Sequence, residues 1–237
     1  MKKRVLITGA SSGIGLALAE TLLQCNFEVI GIARDFTKAK CNDLQQVVID
    51  LSDTKQLLEQ LQQNELLNQD FDVLVLNAGV GRFGGLEQFS HSQIEQVVNT
   101  NLVSNLFLLK HYLPAFKRQG GKDIVLVGSE SALQGAKQGA VYCASKFAVR
   151  GLAQSLRADC ANADIRVILV NPGSVATDFF EHLNFEPQTG KEFALEAQTI
   201  AKTIQDTLAL PRNAVVEEIN IQPIKRSFQK KAPSKSN

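Results

Sequence analysis

The stretch from Thr8 to Gly15 most constrains what this chain can fold into. It follows a short apolar run at residues 4–7, which predicts a buried strand, and precedes an apolar helical pattern at residues 16–23. Three glycines, spaced G-x-x-x-G-x-G, therefore stand where a strand gives way to a helix. Glycine permits positive φ and close approach of a ligand, and the N–H groups of the new helix attract phosphate. The stretch predicts either a turn that holds the phosphates of a dinucleotide or a plain tight turn.

Strand and helix patterns alternate along the rest of the chain. Most strand patterns are nearly continuous runs of Val, Ile and Leu, as in parallel strands covered on both faces. We predict strands at residues 4–8, 28–33, 46–49, 73–76, 123–127, 166–170 and 215–221, and helices at 13–24, 54–64, 92–119, 142–161 and 195–208. These βα units predict an α/β fold, a doubly wound, mostly parallel seven-stranded sheet with helices on both faces (Rossmann-like, three-layer α/β/α). Ligands bind such sheets beyond the carboxyl ends of the strands.

Length and composition fit one domain with a large core, because the chain has 237 residues and 44% of them are hydrophobic. We predict a single domain at residues 1–224 and a basic, flexible tail at residues 225–237. Five of the 25 basic residues lie in that tail, which leaves 20 basic against 24 acidic residues in the body. An acidic body argues against nucleic-acid binding, with weak contact of the tail with RNA or anionic lipid as the alternative.

The cysteines and the amino-terminal residues bear on location. No C-x-x-C pair or metal-ligand spacing occurs, so we predict no metal site and expect free thiols in a reducing compartment. The apolar run at residues 5–7 ends at Thr8, too soon for a signal peptide, and no apolar stretch is long enough to span a membrane. We expect a cytoplasmic protein without membrane contact.

Tyr142 and Lys146 are the residues that most indicate chemistry. They stand four apart in a predicted helix and so share one face. An ammonium near a phenol favours the phenolate and lowers its pKa, which makes a plausible general acid/base. Ser129, thirteen residues earlier at the end of a predicted strand, offers a hydroxyl to a substrate carbonyl oxygen. Taken singly, the alternatives are an exposed aromatic with an unrelated lysine, and a simple turn serine.

Taken in order, these motifs closely resemble the short-chain dehydrogenase/reductase family, in its compact single-domain branch. The resemblance covers roughly residues 4–222. It rests on the Thr8–Gly15 turn, Asn77-Ala78-Gly79, Asn101, Ser129, Tyr142-x-x-x-Lys146 and Pro172-Gly173-Ser174-Val175-Ala176-Thr177.

The resemblance implies an oxidoreductase that moves hydride between a nicotinamide cofactor and a small carbonyl or alcohol substrate. It implies that Tyr142 exchanges a proton with the substrate oxygen and that Ser129 orients that oxygen. Lys146 would hold the nicotinamide ribose and lower the pKa of Tyr142, and Asn101 would maintain a water link to Lys146. The cofactor-binding residues implied are Gly9, Ser11, Ser12, Gly13, Ile14, Gly15, Arg34, Asp50, Leu51, Asn77, Ala78, Gly79, Tyr142, Lys146, Pro172, Gly173, Val175 and Thr177.

The end of the second predicted strand bears on the choice of cofactor. Ala33 stands where NAD-dependent relatives place an acidic residue against the ribose 2′-hydroxyl, and Arg34 follows it. Because arginine can grip a 2′-phosphate, we predict NADP(H) in preference to NAD(H). Asp35 as a ribose acceptor, and Ser12 where many NADP-dependent relatives carry a second basic residue, are the counter-arguments.

The segment from Asp178 to Phe185 corresponds by resemblance to the lid over the substrate. Its three phenylalanines, with Phe193 beyond, predict either an apolar pocket or anchors that fasten the lid to the body. Glu130, beside Ser129, is a polar departure from the small or apolar residue that relatives often have there.

Other functions compete with the enzymatic one. The first is an NADP(H)-binding regulator or redox sensor with little catalysis. Nucleotide-sugar epimerases and dehydratases share the fold, but they are usually much longer. The resemblance also leads us to expect a homodimer or homotetramer through the helices at residues 92–119 and 142–161.

Overall fold

The fold was analysed in a computed structural model that describes residues 2–231. Its centre is a seven-stranded sheet, and every neighbouring pair of its strands is parallel. The strands, in chain order, are β1 Arg4–Thr8, β2 Glu28–Ala33, β3 Gln45–Val48, β4 Val73–Leu76, β5 Lys122–Val127, β6 Ile165–Pro172 and β10 Glu218–Ile221. Their order across the sheet is β10-β6-β5-β4-β1-β2-β3. The chain thus reverses direction of winding between β1 and β4, as the predicted doubly wound fold requires, and the fold class is confirmed.

Helices cover both faces of this sheet. They are α1 Gly13–Gln24, α2 Thr54–Gln63, α3 His91–Val98, α4 Ser104–Gln119, α5 Ala140–Cys160 and α6 Ala197–Leu208. Side chains alternate along β1, so Val5 and Ile7 pack with α1 and α6, whereas Leu6 packs with α2, α4 and α5. The central strands therefore pack apolar side chains on both faces of the sheet, which explains their continuous Val, Ile and Leu runs.

The helix predicted at residues 92–119 is one continuous helical stretch with a wide turn inside it. α3 begins at a capping box of Ser90 and Gln93. The turn Asn99–Val103 then has π geometry, since the Ser104 N–H donates to the carbonyl of Asn99. The structure thus differs from the predicted regular helix, because this turn holds about one residue more than a turn of α-helix.

Short strands outside the main sheet flank the lid segment from Asp178 to Phe185. β7 Val175–Ala176 pairs with β9 Leu195–Glu196, and β8 Phe185–Pro187 pairs with β11 Phe228–Lys230. Here the structure differs from the prediction of a free tail that begins at residue 225. Lys231 adds a backbone bond to Asn184. Residues 232–237 of the predicted tail lie outside the described residues.

Candidate active site

A cavity of about 680 Å³ opens at the carboxyl edge of the sheet. Its walls come from the segments that follow β1, β2, β3, β4, β5 and β6, together with the lid and the residues around β11. Parallel strands bring their carboxyl ends to the same edge, so residues far apart in sequence meet here. A cavity of this size and position is typical of a small-molecule or cofactor site.

The glycine turn after β1 forms one end of the cavity. Gly9 and Gly13 have φ of +67° and +53°, which favour glycine. A Cβ on Gly15 would lie 2.1 Å from the carbonyl oxygen of Gly9, so the first turn of α1 and the loop are in direct contact. Asn77 holds the loop from the other side, because its Nδ2 donates to the carbonyls of Thr8 and Gly9 at 2.9 and 3.2 Å. The turn from Gly9 to Gly15, called the glycine cradle below, leaves space for a phosphate group only because no side chain extends from its glycines.

Two polar groups border the cavity beyond this cradle. Arg34 is exposed, lines the cavity and pairs with no acidic side chain among residues 2–231. Asp35 instead accepts hydrogen bonds from the N–H and hydroxyl of Thr37 at 2.8 and 2.9 Å, which lower its pKa. Asp50, after β3, also lines the cavity and accepts from the N–H and hydroxyl of Ser52.

Tyr142 and Lys146 face the cavity from the first turns of α5, and both are buried. Burial raises the pKa of Tyr142 to about 12, while the neighbouring hydroxyl of Ser129 acts to lower it. Burial lowers the pKa of Lys146 to about 8. The ammonium of Lys146 donates to the carbonyl of Val127 at 3.0 Å. The pKa of Tyr142 therefore lies above its ordinary value and not below it as expected, because desolvation outweighs the other influences on the phenol.

Ser129 is positioned by the end of β6. Its N–H donates to Asn171 Oδ1 at 3.3 Å, and its Oγ accepts from the N–H of Ser131 at 3.1 Å. Asn171 is in turn fixed by its Nδ2, which donates to Glu218 and Asn220. A chain of hydrogen bonds from β10 through β6 therefore fixes the backbone at Ser129, and the Ser131 N–H holds its Oγ.

Asn101 lies in the π turn, behind the cavity wall. Its Oδ1 accepts from the N–H of Val80 at 2.8 Å, and its Nδ2 donates to the Val80 carbonyl at 3.1 Å and to Ser145 Oγ at 3.0 Å. It joins the loop after β4 to α5. A Cβ on Gly79 would lie 3.3 Å from Lys146 Nζ and 3.5 Å from Asn101 Oδ1, so both side chains stand beside Gly79.

The lid closes the cavity with aromatic rings. Phe179 lies 5.7 Å from the ring centre of Tyr142, and Phe83, on the loop after β4, lies 5.2 Å from it. Phe180 and Phe185 also line the cavity, whereas Phe193 does not and lies under the ammonium of Lys225. The lid phenylalanines thus form an apolar wall, and Phe193 is an anchor.

The structure brings nearly all predicted site residues to one cavity. Only Gly15 and Asn101 of that set stand behind its wall rather than in it. Sequence reasoning missed several residues that line it, since none of them belongs to a motif: Val80, Phe83, Gln222, Arg226 and Phe228. Among residues 2–231 no cluster of His, Cys, Asp or Glu side chains could hold a metal ion. No helix in the same range is long and apolar enough to cross a membrane.

The parallel sheet, the glycine turn after β1 and the buried tyrosine and lysine are typical of an oxidoreductase that uses a dinucleotide. Comparison with known proteins specifies the family, since the profile described as short chain dehydrogenase matches residues 3–188. The chain belongs to the short-chain dehydrogenase family, and it is an NAD(P)-dependent oxidoreductase of alcohol and carbonyl groups.

Individual relatives agree with this assignment. Sepiapterin reductase from Chlorobaculum tepidum is 28% identical over 97% of this chain and 99% of its own length. The 17-beta-hydroxysteroid dehydrogenase type 1 of Homo sapiens is 33% identical over 78% of this chain, which spans 60% of that relative. The solved alcohol dehydrogenase of Thermococcus sibiricus, complexed with 5-hydroxy-NADP, is 27% identical with a TM-score of 0.83, over 96% of this chain and 99% of that one.

Proposed function

We propose that the chain is an NADP(H)-dependent oxidoreductase that interconverts a carbonyl group and an alcohol, with Tyr142 as general acid/base. One observation carries the proposal. The phenol of Tyr142, the hydroxyl of Ser129 and the ammonium of Lys146 face the same cavity as the glycine cradle. A proton donor, a polarising hydroxyl and a cation therefore stand together where a substrate carbonyl can be enclosed with a cofactor.

The roles follow from the contacts. In reduction, the phenol of Tyr142 donates its proton to the substrate oxygen, and the Ser129 hydroxyl donates a hydrogen bond to that oxygen as negative charge develops. The Lys146 cation stabilises the phenolate that remains. A bound nicotinamide supplies or accepts the hydride in this chemistry. Asn101 fixes the loop beside Gly79 and so positions Lys146.

The cradle fits a dinucleotide because a side chain at either positive-φ glycine would be strained and would narrow it. We assign phosphate contacts to its backbone N–H groups and the adenine end to the residues after β2 and β3. The residues proposed to hold the cofactor are Gly9, Ser11, Ser12, Gly13, Ile14, Gly15, Arg34, Asp50, Leu51, Asn77, Ala78, Gly79, Tyr142, Lys146, Pro172, Gly173, Val175 and Thr177.

We propose NADP(H) in preference to NAD(H) on the contrast between two neighbours. The Arg34 guanidinium lines the cavity with its donors uncommitted to any acidic side chain in residues 2–231, so it suits a 2′-phosphate. The Asp35 carboxylate is turned to Thr37, outside the cavity. The solved alcohol dehydrogenase complexed with 5-hydroxy-NADP supports this choice.

The proposal is tested with a panel of ketones, aldehydes, hydroxy acids and steroids, each offered with NADPH and with NADH at equal concentration. Loss of reduced-cofactor absorbance reports turnover. We expect reduction of at least one carbonyl class and a preference for NADPH. Tight NADPH binding without turnover of any compound identifies the alternative, a cofactor-binding regulator or redox sensor. Faster reaction with NADH overturns the cofactor assignment alone.

We further propose a homodimer or homotetramer in the cytoplasm. Leu106 on α4 and Phe147 on α5 are 41% and 44% exposed, and such apolar side chains favour association of these two helices with a second copy. The four cysteines are free thiols, which suits a reducing compartment. Sedimentation at micromolar concentration measures the oligomeric state, and a monomer contradicts the assembly.

A further inference from the structure

The cavity has both aromatic and charged residues in its lining. Glu130 follows Ser129 directly and lines the cavity, and so does Arg226 from the segment before β11. The rings of Phe179, Phe180 and Phe185, which the lid supplies, line the same cavity. A substrate in this space therefore meets aromatic rings and a carboxylate.

Glu130 is short of hydrogen-bond partners. No described residue donates a hydrogen bond to its carboxylate, and its side chain is 31% exposed. Among residues 2–231, Arg226 is the cation paired with it, and its Nη1 lies 4.0 Å from Oε2, beyond hydrogen-bond distance. Burial raises the pKa of Glu130, while the charge of Arg226 acts to lower it. A carboxylate with free acceptor oxygens therefore borders the place where the reacting carbonyl would lie.

We propose that Glu130 is a specificity-determining residue that accepts a hydrogen bond from a hydroxyl or N–H group next to the reacting carbonyl of the substrate. The inference rests on the proposed function. An apolar substrate would displace water from the carboxylate without replacing the lost hydrogen bonds, whereas a hydroxyl or N–H group of the substrate would replace them. Sites built to bond a substrate hydroxyl reject analogues that lack it. The substrate class is then an α-hydroxy or α-amino ketone or aldehyde with an apolar body.

The other charged groups of the cavity do not favour an acid over a donor as ligand, since Arg226, the cation beside Glu130, is 63% exposed and its charge is screened by water. Arg34 and Asp50 lie at the end proposed for the adenine, and Lys146 belongs to the catalytic group. Lys137 lines the cavity but is exposed. A substrate carboxylate beside the carbonyl would face Glu130 and be repelled, so a 2-oxo acid is disfavoured.

The test compares two ketones of equal size, 2-hydroxyacetophenone and propiophenone, which differ by a hydroxyl in place of a methyl group. With wild-type protein and NADPH, we expect kcat/KM to favour the hydroxyketone by at least about tenfold. Glu130→Leu should bring the ratio near one, with propiophenone turnover kept or increased. Glu130→Gln, which retains an acceptor oxygen, should give an intermediate ratio. Glu95→Leu, an exposed glutamate on α3 outside the cavity, is the matched control and should leave the ratio unchanged.

Binding separates this inference from the proposed function. Dissociation constants of both ketones for Tyr142→Phe loaded with NADPH are read from cofactor fluorescence. Equal affinities, or binding of neither ketone, overturn the role of Glu130, as does a wild-type ratio near one or a ratio that survives Glu130→Leu. Preferential binding of the hydroxyketone without turnover of any compound by the wild type supports Glu130 and overturns the oxidoreductase proposal alone.

Discussion

The ammonium of Lys146 lies 5.9 Å from the ring centre of Tyr142, and burial moves the pKa values of the two groups in opposite directions. The pKa of the phenol is raised to about 12, and the pKa of the ammonium is lowered to about 8. Between these values the phenol keeps its proton while the lysine has lost its charge. Carbonyl reduction should therefore lose the stabilising cation before it loses the proton donor.

This difference predicts the pH dependence of reduction. The ammonium is present below its pKa and lost above it, so kcat/KM should be level near pH 7 and fall about tenfold per pH unit above pH 8. Lys146→Arg, which cannot deprotonate in this range, should lower the rate but remove that fall. A wild-type profile level to pH 10, or a fall that persists in the arginine variant, contradicts the assignment.

The two tyrosines should respond differently to loss of their hydroxyl. Tyr142→Phe removes the proposed proton donor and should lower kcat by about 10²- to 10⁴-fold with NADPH binding retained. Tyr112→Phe removes a buried bond of 2.8 Å to the Leu67 carbonyl, which should cost about 1–3 kcal/mol of stability and leave turnover unchanged. Steady-state kinetics and urea unfolding measure both effects. Similar kinetic losses in the two variants would argue against a special role for Tyr142.

Arg34→Ala should weaken the use of NADPH by about 10- to 100-fold in kcat/KM, because a charge-assisted bond to the 2′-phosphate is lost. The rate with NADH should change little. Lys38→Ala is the charge-matched control, since Lys38 is exposed, pairs with Glu181 at 3.9 Å and does not line the cavity. If both variants lose NADPH activity equally, the effect is one of net charge and not of 2′-phosphate contact.

The buried ion pair at the amino end of β5 should dominate electrostatic stability. Arg166 holds both carboxylate oxygens of Asp123, at 2.7 and 3.0 Å, and both side chains are at most 5% exposed. Asp123→Ala should cost about 3–5 kcal/mol in unfolding free energy, because it leaves a buried guanidinium uncompensated. Asp206→Ala, which breaks an exposed pair with Lys202, should cost less than about 1 kcal/mol. Equal costs would show that burial is not decisive.

Two glycine-to-alanine substitutions in helices should change the stability of the fold in opposite directions. Gly15→Ala places a methyl group 2.1 Å from the Gly9 carbonyl and should destabilise the fold by about 1–3 kcal/mol while weakening NADPH binding. Gly151→Ala on α5 meets no atom within 4 Å and should stabilise by about 0.5–1 kcal/mol. Thermal melts with and without NADPH measure both. A neutral Gly15→Ala would mean that the loop has room to move.

Sequence patterns predicted the sheet well because most of its strands, such as β1, β2, β4 and β5, are buried on both faces. Bounds of β1, β2, β4 and α1 match, and the others differ by a few residues. The predicted strand at 215–221 begins only at Glu218, and Val215 is 49% exposed. An apolar run alone does not show at which residue the backbone hydrogen bonds to the neighbouring strand begin or end.

The parts of the site that escaped prediction depend on tertiary contacts. The charges of residues 225–231 suggested a solvated tail, but Phe228 lies 5.5 Å from Phe185, and its strand pairs with the lid. Nothing local distinguishes Gln222 or Phe83 from ordinary loop residues. The π turn was also hidden, since one extra residue barely disturbs a helical pattern of polar and apolar positions.

That turn has a consequence for how the chain can vary. Within it, the carbonyl of Thr100 accepts a hydrogen bond from Ser104 Oγ at 2.7 Å, and the carbonyl of Asn101 accepts one from Asn105 Nδ2 at 2.9 Å. Each residue of an α-helix advances the chain by about 100°, so deletion of one residue here would rewind the helix and swing Asn101 away from Val80. The fold can tolerate single substitutions along α3 and α4. A change in the length of this segment, however, would remove at once the contacts by which Asn101 is proposed to position Lys146.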